Sequence, residues 1–153
     1  MLATDYSELL DILMRQVVWN VDLPGSHDRF LRETGHVASV PGDERRAPRL
    51  RIRTPCLLIP ECGLPAFPRT RTPIAIYTAD LSRHGVGFIA SIPFLPEEKV
   101  RILLPMFWLQ ATIVRGRRLG ARCHQSSALL MRKNEPDLDA FEGVVVPHAT
   151  PLA

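Results

Sequence analysis

Five arginines fall within nine residues in the segment Glu44-Arg45-Arg46-Ala47-Pro48-Arg49-Leu50-Arg51-Ile52-Arg53. A guanidinium is a planar fork. It can grip phosphate oxygens, pair bidentately with guanine O6 and N7, or lie flat on a base. Arg45 and Arg49, with three residues between them, stand where a linker gives way to a strand-like stretch, and that chemistry points to this pair. The same spacing also fits a solvated basic strand edge that discourages aggregation. A second cluster is Asp80-Leu81-Ser82-Arg83-His84-Gly85. A carboxylate can accept from the guanine N1–H and exocyclic amine, and a serine hydroxyl can serve phosphate or base. Glycine permits a positive φ and close ligand approach. His84 lies inside the motif and is a further candidate contact. The structural alternative is a strand-joining turn whose Asp and Ser satisfy local backbone donors. Taken singly, each cluster is more often structural than functional.

The rest of the 153 residues narrows the chemistry. Of 19 cationic side chains only Lys99 and Lys133 are lysines, so the charge is carried by forks and not by point charges. A base-composition bias towards Arg codons would explain that total but not the placement. Cys56, Cys62 and Cys123 are odd in number and widely spaced, which predicts inert thiols in a reducing compartment and no disulfide framework or zinc site. His27, His36, His84, His124 and His148 have no metal-ligand spacing. No nucleophile elbow surrounds Ser82. Asp137, Asp139 and Glu142 read as complements to a helix dipole and not as an acid–base pair. Gly85-Val86-Gly87-Phe88-Ile89-Ala90 fits a dinucleotide fingerprint in letters only, since it leads into a strand and not a helix. The expectation is therefore a binding module and not an enzyme, with no cofactor or metal. Asp5, Glu8 and Asp11 interrupt any signal-peptide pattern, and the longest apolar patch, 102–108, is broken by Pro105. A cytoplasmic protein without a membrane span is expected.

Elements must hold these clusters in place. Tyr6, Leu9, Leu10, Leu13 and Val17 share one face at helical spacing, predicting a helix over 4–18 with Thr4 as N-cap and Asp5 in the first turn. The stripe reads as packing against the rest of the fold; a homodimer through it is the minority reading. A short helix over 28–34 would stop at Gly35. From Arg49 the period changes to two, predicting a strand with Pro55 at an edge or bulge, then a long loop over 60–73. Further strands are expected at 74–78, 86–90, 100–104 and 108–117, with a last one running to about Met131. Phe107 and Trp108 read as core aromatics. Asn134-Glu135-Pro136 has the order of a helix start. Short strands at this spacing predict a small antiparallel barrel. The division expected is a helical extension and linker over 1–42, a barrel with a C-terminal helix over 43–146, and a tail over 147–153.

Taken together the clusters gain weight. Arg45-x-x-x-Arg49, a strand, a loop, another strand and then Asp80-x-Ser82-x-x-Gly85 resembles the PilZ domain, the bacterial receptor for cyclic di-GMP. The run Arg45 to Pro55 is similar to that family's opening strand, and Asp80 to Phe88 to its turn and following strand. The likeness extends over about residues 44–132. It implies a mainly β fold, a six-stranded antiparallel barrel with a C-terminal helix, here carrying an N-terminal helical extension. It further implies that Arg45 and Arg49 grip guanine edges and phosphates, that Asp80 and Ser82 hydrogen-bond a guanine or phosphate, and that Gly85 shapes the turn. Where the family's last strand has a glycine followed by an aliphatic and an aromatic residue, this chain has Ser127-Ala128-Leu129-Leu130. Two stacked ligands would need more guanidinium, which Arg46 or one of Arg115, Arg117 and Arg118 could supply. Binding would order the 40–50 arm and change the surface offered to a downstream protein. A ligand-silent adaptor of the same fold is the alternative. A small barrel binding single-stranded nucleic acid fits less well, because the chain has only two tyrosines and two tryptophans to stack on bases.

Overall fold

The alternation of apolar side chains is realised as strands. The computed structural model describes residues 5–23, 35–36, 50–51, 53–66 and 68–145. Helix α1 (Tyr6–Gln16) comes first, followed by two-residue strands β1 (Gly35–His36) and β2 (Leu50–Arg51). Then come β3 (Pro55–Cys62), β4 (Ile74–Leu81), β5 (Gly85–Ala90), β6 (Lys99–Leu103), β7 (Trp108–Gly120) and β8 (Cys123–Asn134). The last six close into an antiparallel barrel in the order β4-β3-β6-β7-β8-β5, with β5 pairing back onto β4. Closure removes the exposed edges that an open sheet would present.

The interior is filled from every wall by Leu58, Ile76, Phe88, Ile102, Leu109 and Ala128. Cys56-Leu57-Leu58-Ile59 is buried residue after residue, because both faces of β3 are covered. Cys56 and Leu58 point into the barrel. Leu57 and Ile59 point outward, where Tyr6, Leu10, Leu13 and Val17 of the N-terminal segment lie against them. The apolar stripe of α1 thus packs on the barrel. The Tyr6 hydroxyl donates towards the Leu104 and Phe107 carbonyls, and burial pushes its pKa up. Asp5, not Thr4, caps the helix among the described residues: its side chain accepts from Glu8 N at 2.9 Å. The chain then crosses the outer face of β4, β5 and β8, where Val21 and Leu23 cover Tyr77, Ala79, Ile89 and Cys123. Burial raises the Cys56 thiol, and burial followed by the nearby Asp22 raises that of Cys123. No helix among the described residues is long and apolar enough to cross a membrane.

Two boundaries differ from those expected. The first strand is split, with β2 at Leu50–Arg51 and β3 starting at Pro55. Proline has no N–H to give the ladder, so it takes the first place of a strand. Thr54 bridges the gap by donating its N–H to Thr78 Oγ1 at 3.1 Å and accepting from Thr78 N at 3.0 Å. β3 then runs into the expected loop, because its pairing with β6 shifts register between Pro60 and Cys62 and so accommodates Pro60. The C-terminal segment forms a 3-10 turn, Leu138–Phe141, where a helix was expected. Arg101 explains why it stops: its guanidinium donates to the carbonyls of Ala140 and Glu142 at 3.0 and 2.8 Å. Gly143, at φ 73°, then turns the chain away. The expected helix over 28–34 and the tail over 147–153 lie outside the described residues.

A candidate ligand ledge beside the turn between β4 and β5

The turn joining β4 to β5 is tied down on three sides. Ser82 N donates to Gly85 O at 2.9 Å, and Leu130 N of β8 donates to His84 O at 2.8 Å. The Ser82 hydroxyl accepts from the N–H groups of His84 and Gly85 at 3.3 and 3.1 Å. Both acceptor positions of that hydroxyl are therefore used inside the turn. Arg83 and His84 are exposed at its tip. Gly85 does not have a positive φ; among the described residues that conformation falls at Glu97 and Gly143. Its requirement is steric, since a Cβ on Gly85 would lie 3.2 Å from the Ala128 carbonyl oxygen of β8. Replacing Gly85 by alanine is expected to lower stability by about 1–3 kcal/mol through strain in the β5–β8 ladder. Urea unfolding with an unchanged slope would measure the loss.

The register assembles a row that no short motif contains. Asp80 of β4 stands opposite Gly87 of β5. Gly87 stands opposite Ser127 of β8, and Ser127 opposite Arg115 of β7. Directly opposed residues share a face of an antiparallel sheet. Val86 and Phe88 point into the core, so Gly87 and its partners face outward. The result is a row of carboxylate, buried glycine, hydroxyl and guanidinium, of which the hydroxyl and guanidinium end is accessible. At about 4.8 Å per strand it spans roughly 14 Å. Asp80 is 8% exposed, whereas Arg115 is exposed. A shift in register between Thr78 and Asp80 turns Asp80 to the face of Gly87. Leu129, opposite Gly85, adds an apolar patch at 49% exposure. Gly87 is itself buried, so the accessible end of the row is that of Ser127 and Arg115, which can pair with an anion, while the carboxylate end is covered.

Of the residues singled out from sequence, Asp80, Ser82, His84 and Gly85 come together here. Arg45, Arg46 and Arg49 lie outside the described residues. Leu50, which follows Arg49 in the chain, pairs with Leu81, the neighbour of Asp80. Of the three extra arginines, only Arg115 shares the row with Asp80. Arg117 is one step along, bonded through Nε and an Nη to Gln125 Oε1 at 3.2 Å. Arg118 stands opposite His124, on the other face of the hairpin. Gly87 and Ser127 escaped notice as functional candidates, because only the pairing of β5 with β8 places them beside Asp80. No protein-family model matches the chain and no curated protein matches it, and it is this arrangement of turn, row and arginine-bearing strand that informs the reading of function.

Proposed function

We propose that the protein is a receptor for cyclic di-GMP, holding it on the ledge beside the β4–β5 turn, and that its barrel is of the PilZ type. The observation that carries this reading is the pairing of Leu50 with Leu81. A residue bonded to Leu50 stands one Cα step, about 3.8 Å, from it. In this reading Arg49, the chain neighbour of Leu50, and Arg45, four residues before it, reach to the edge that carries Asp80, Ser82 and Gly85. The ligand has two guanines and two phosphates. The arginines serve phosphates or the Hoogsteen edge of a guanine. Asp80 takes the Watson–Crick edge, and Ser82 holds the turn in shape. His84 and Arg46 flank the same place. No chemical step is needed, so the protein senses and does not catalyse.

The consequence of binding is a change of surface. Ligand gripped by Arg45 and Arg49 draws the 40–50 arm onto the barrel, an ordering step of the kind used in other switches. The downstream partner is a protein that distinguishes the two surfaces, with α1 as a natural output element.

Calorimetric titration with cyclic di-GMP, beside GMP and a single-stranded oligonucleotide, tests the reading. Saturable heat with the cyclic dinucleotide and far weaker heat with GMP is expected. No heat as the ligand approaches millimolar, where binding is worth only about −4 kcal/mol, would leave a ligand-silent adaptor. Affinity that grows with oligonucleotide length and collapses in salt would make the barrel a nucleic-acid binder instead.

A further inference from the structure

The hairpin of β7 and β8 outruns the barrel. β6 pairs with β7 only as far as Thr112, and β5 pairs with β8 only down to His124. Beyond that reach the inner face of the hairpin is met by the 93–98 loop: Glu97 N donates to Ile113 O, and Ile113 N to Glu98 O, each at 2.8 Å. A cleft of about 440 Å³ opens between this loop and the hairpin. Its floor lies on the other face of the hairpin from the ledge, and Arg115, at one end of the ledge, stands also at its rim.

Three features give the cleft a chemistry. Its floor carries Ser126, 1% exposed, whose hydroxyl has no hydrogen-bond partner. A polar group buried in that state costs about 1–3 kcal/mol, and the cost is recovered when an acceptor or donor reaches it. Gly116 stands opposite Ser126, and a Cβ there would sit 3.4 Å from the Ser126 hydroxyl and 3.1 Å from the Gln125 carbonyl. With the Phe94 carbonyl oxygen 3.7 Å from the same point, glycine is what lets the hairpin and the loop close on Ser126. His124 and Arg118 form the next opposed pair on this face. Arg118 uses Nε on the Gly120 carbonyl at 3.0 Å, leaving its Nη groups to other partners. Arg115 and Arg117 also border the opening, and among the described residues that line it there is no carboxylate.

The facing wall is apolar and held in place. Pro93, Phe94, Leu95 and Pro96 line it. Arg69 clamps this loop from behind, with its guanidinium 4.5 Å over the Phe94 ring, a bond to Pro93 O at 2.7 Å and an ion pair with the buried Glu98. Glu98 in turn accepts from Leu95 N. Glu97 is held at φ 81°, a conformation that persists in a non-glycine residue only where the surroundings dictate it. A rigid apolar wall facing a cationic, hydroxyl-floored wall fits a ligand with a flat or apolar body and an anionic end. The volume lies within the range of small-molecule sites.

We infer that this cleft is a second binding site, for a small phosphorylated metabolite whose phosphate is held by Arg118, His124 and the Ser126 hydroxyl. None of these three residues belongs to the row proposed for cyclic di-GMP, so either reading can fail without the other.

The test is a titration of the full chain with inorganic pyrophosphate, followed by amide chemical shifts and thermal unfolding, with sodium chloride at matched ionic strength as control. Saturable shifts confined to residues 93–96, 116–118 and 123–126 are expected, together with a rise in melting temperature. Arg118→Gln should weaken binding at least tenfold. Ser126→Ala should weaken it about tenfold while leaving the ligand-free melting temperature unchanged or higher, because it removes an unsatisfied buried hydroxyl. Gly116→Leu should fill the cleft and abolish binding; if that variant misfolds, Arg118→Gln and Ser126→Ala still decide. Shifts that sodium chloride reproduces, or affinity unchanged in both of those variants, would overturn the inference. So would affinity for a single-stranded oligonucleotide that climbs with its length and centres on exposed Arg117 and Arg122, which would make the hairpin a polyanion surface.

Discussion

Replacing Arg49 with alanine should weaken cyclic di-GMP binding by on the order of 100-fold while leaving the barrel folded. The size follows from the geometry proposed for the contact. A guanidinium that pairs bidentately with a phosphate or a guanine edge and loses its water on binding contributes about 2–5 kcal/mol when truncated. Arg49 directly precedes Leu50, whose pairing with Leu81 fixes where the chain enters. Unfolding by urea should be unaffected, since the proposed contact of Arg49 is with the ligand and not with the core. Arg45→Ala should act in the same direction, and lysine at position 49 should recover only part of the loss, since an ammonium lacks the fork. An affinity within threefold of the parent would mean that the arginines do not grip the ligand.

The second large effect lies in the core. Phe88→Ala should cost about 3–5 kcal/mol of folding stability, a loss made up of the transfer free energy of the ring and of the cavity left behind. Phe88 is fully buried and stands opposite Thr78 on one side and Ser126 on the other. Its ring meets Phe94 edge-on, with centroids 5.8 Å apart and planes at 69°. The surrounding strands belong to a closed barrel and cannot collapse freely into the space. For a domain whose total stability is about 5–15 kcal/mol, this is a large share. The urea midpoint should fall with little change in slope. A loss below about 1 kcal/mol would show that the ring is not a main part of the barrel interior.

What the sequence made legible follows from the range of its signals. Period-two alternation is local, so the strands at 74–78, 86–90 and 100–104 were placed within a few residues of β4, β5 and β6. The α1 stripe was legible for the same reason, and its burial against Leu57 and Ile59 is the packing expected of it. Where proline sat inside a strand the boundaries shifted. Pro60 reads as a breaker, and only the register shift between β3 and β6 admits it. The C-terminal helix was expected from cap chemistry alone. Arg101, nearly 40 residues earlier in the chain, takes the carbonyls that a longer helix would have used.

The site divides in the same way. Asp80, Ser82, His84 and Gly85 were legible because they are contiguous. Gly87, Ser127 and Arg115 were not, because they meet Asp80 only through the β4–β5, β5–β8 and β7–β8 ladders. Gly85 was singled out, but for the wrong physical reason. It is needed for close approach to Ala128 and not for a left-handed turn. The hydroxyl of Ser82 is spent on the turn itself, so its part in the proposed site is to hold the shape that Asp80 and Gly85 depend on.

The most direct test of the central claim is amide chemical-shift mapping of the full chain at saturating cyclic di-GMP. The account predicts saturable shifts at residues 45–51, at 80–87 and at 127–129, with residues 93–96 and 116–118 left unmoved. Absence of shifts, or shifts centred on the cleft between the 93–96 loop and the hairpin, would contradict it.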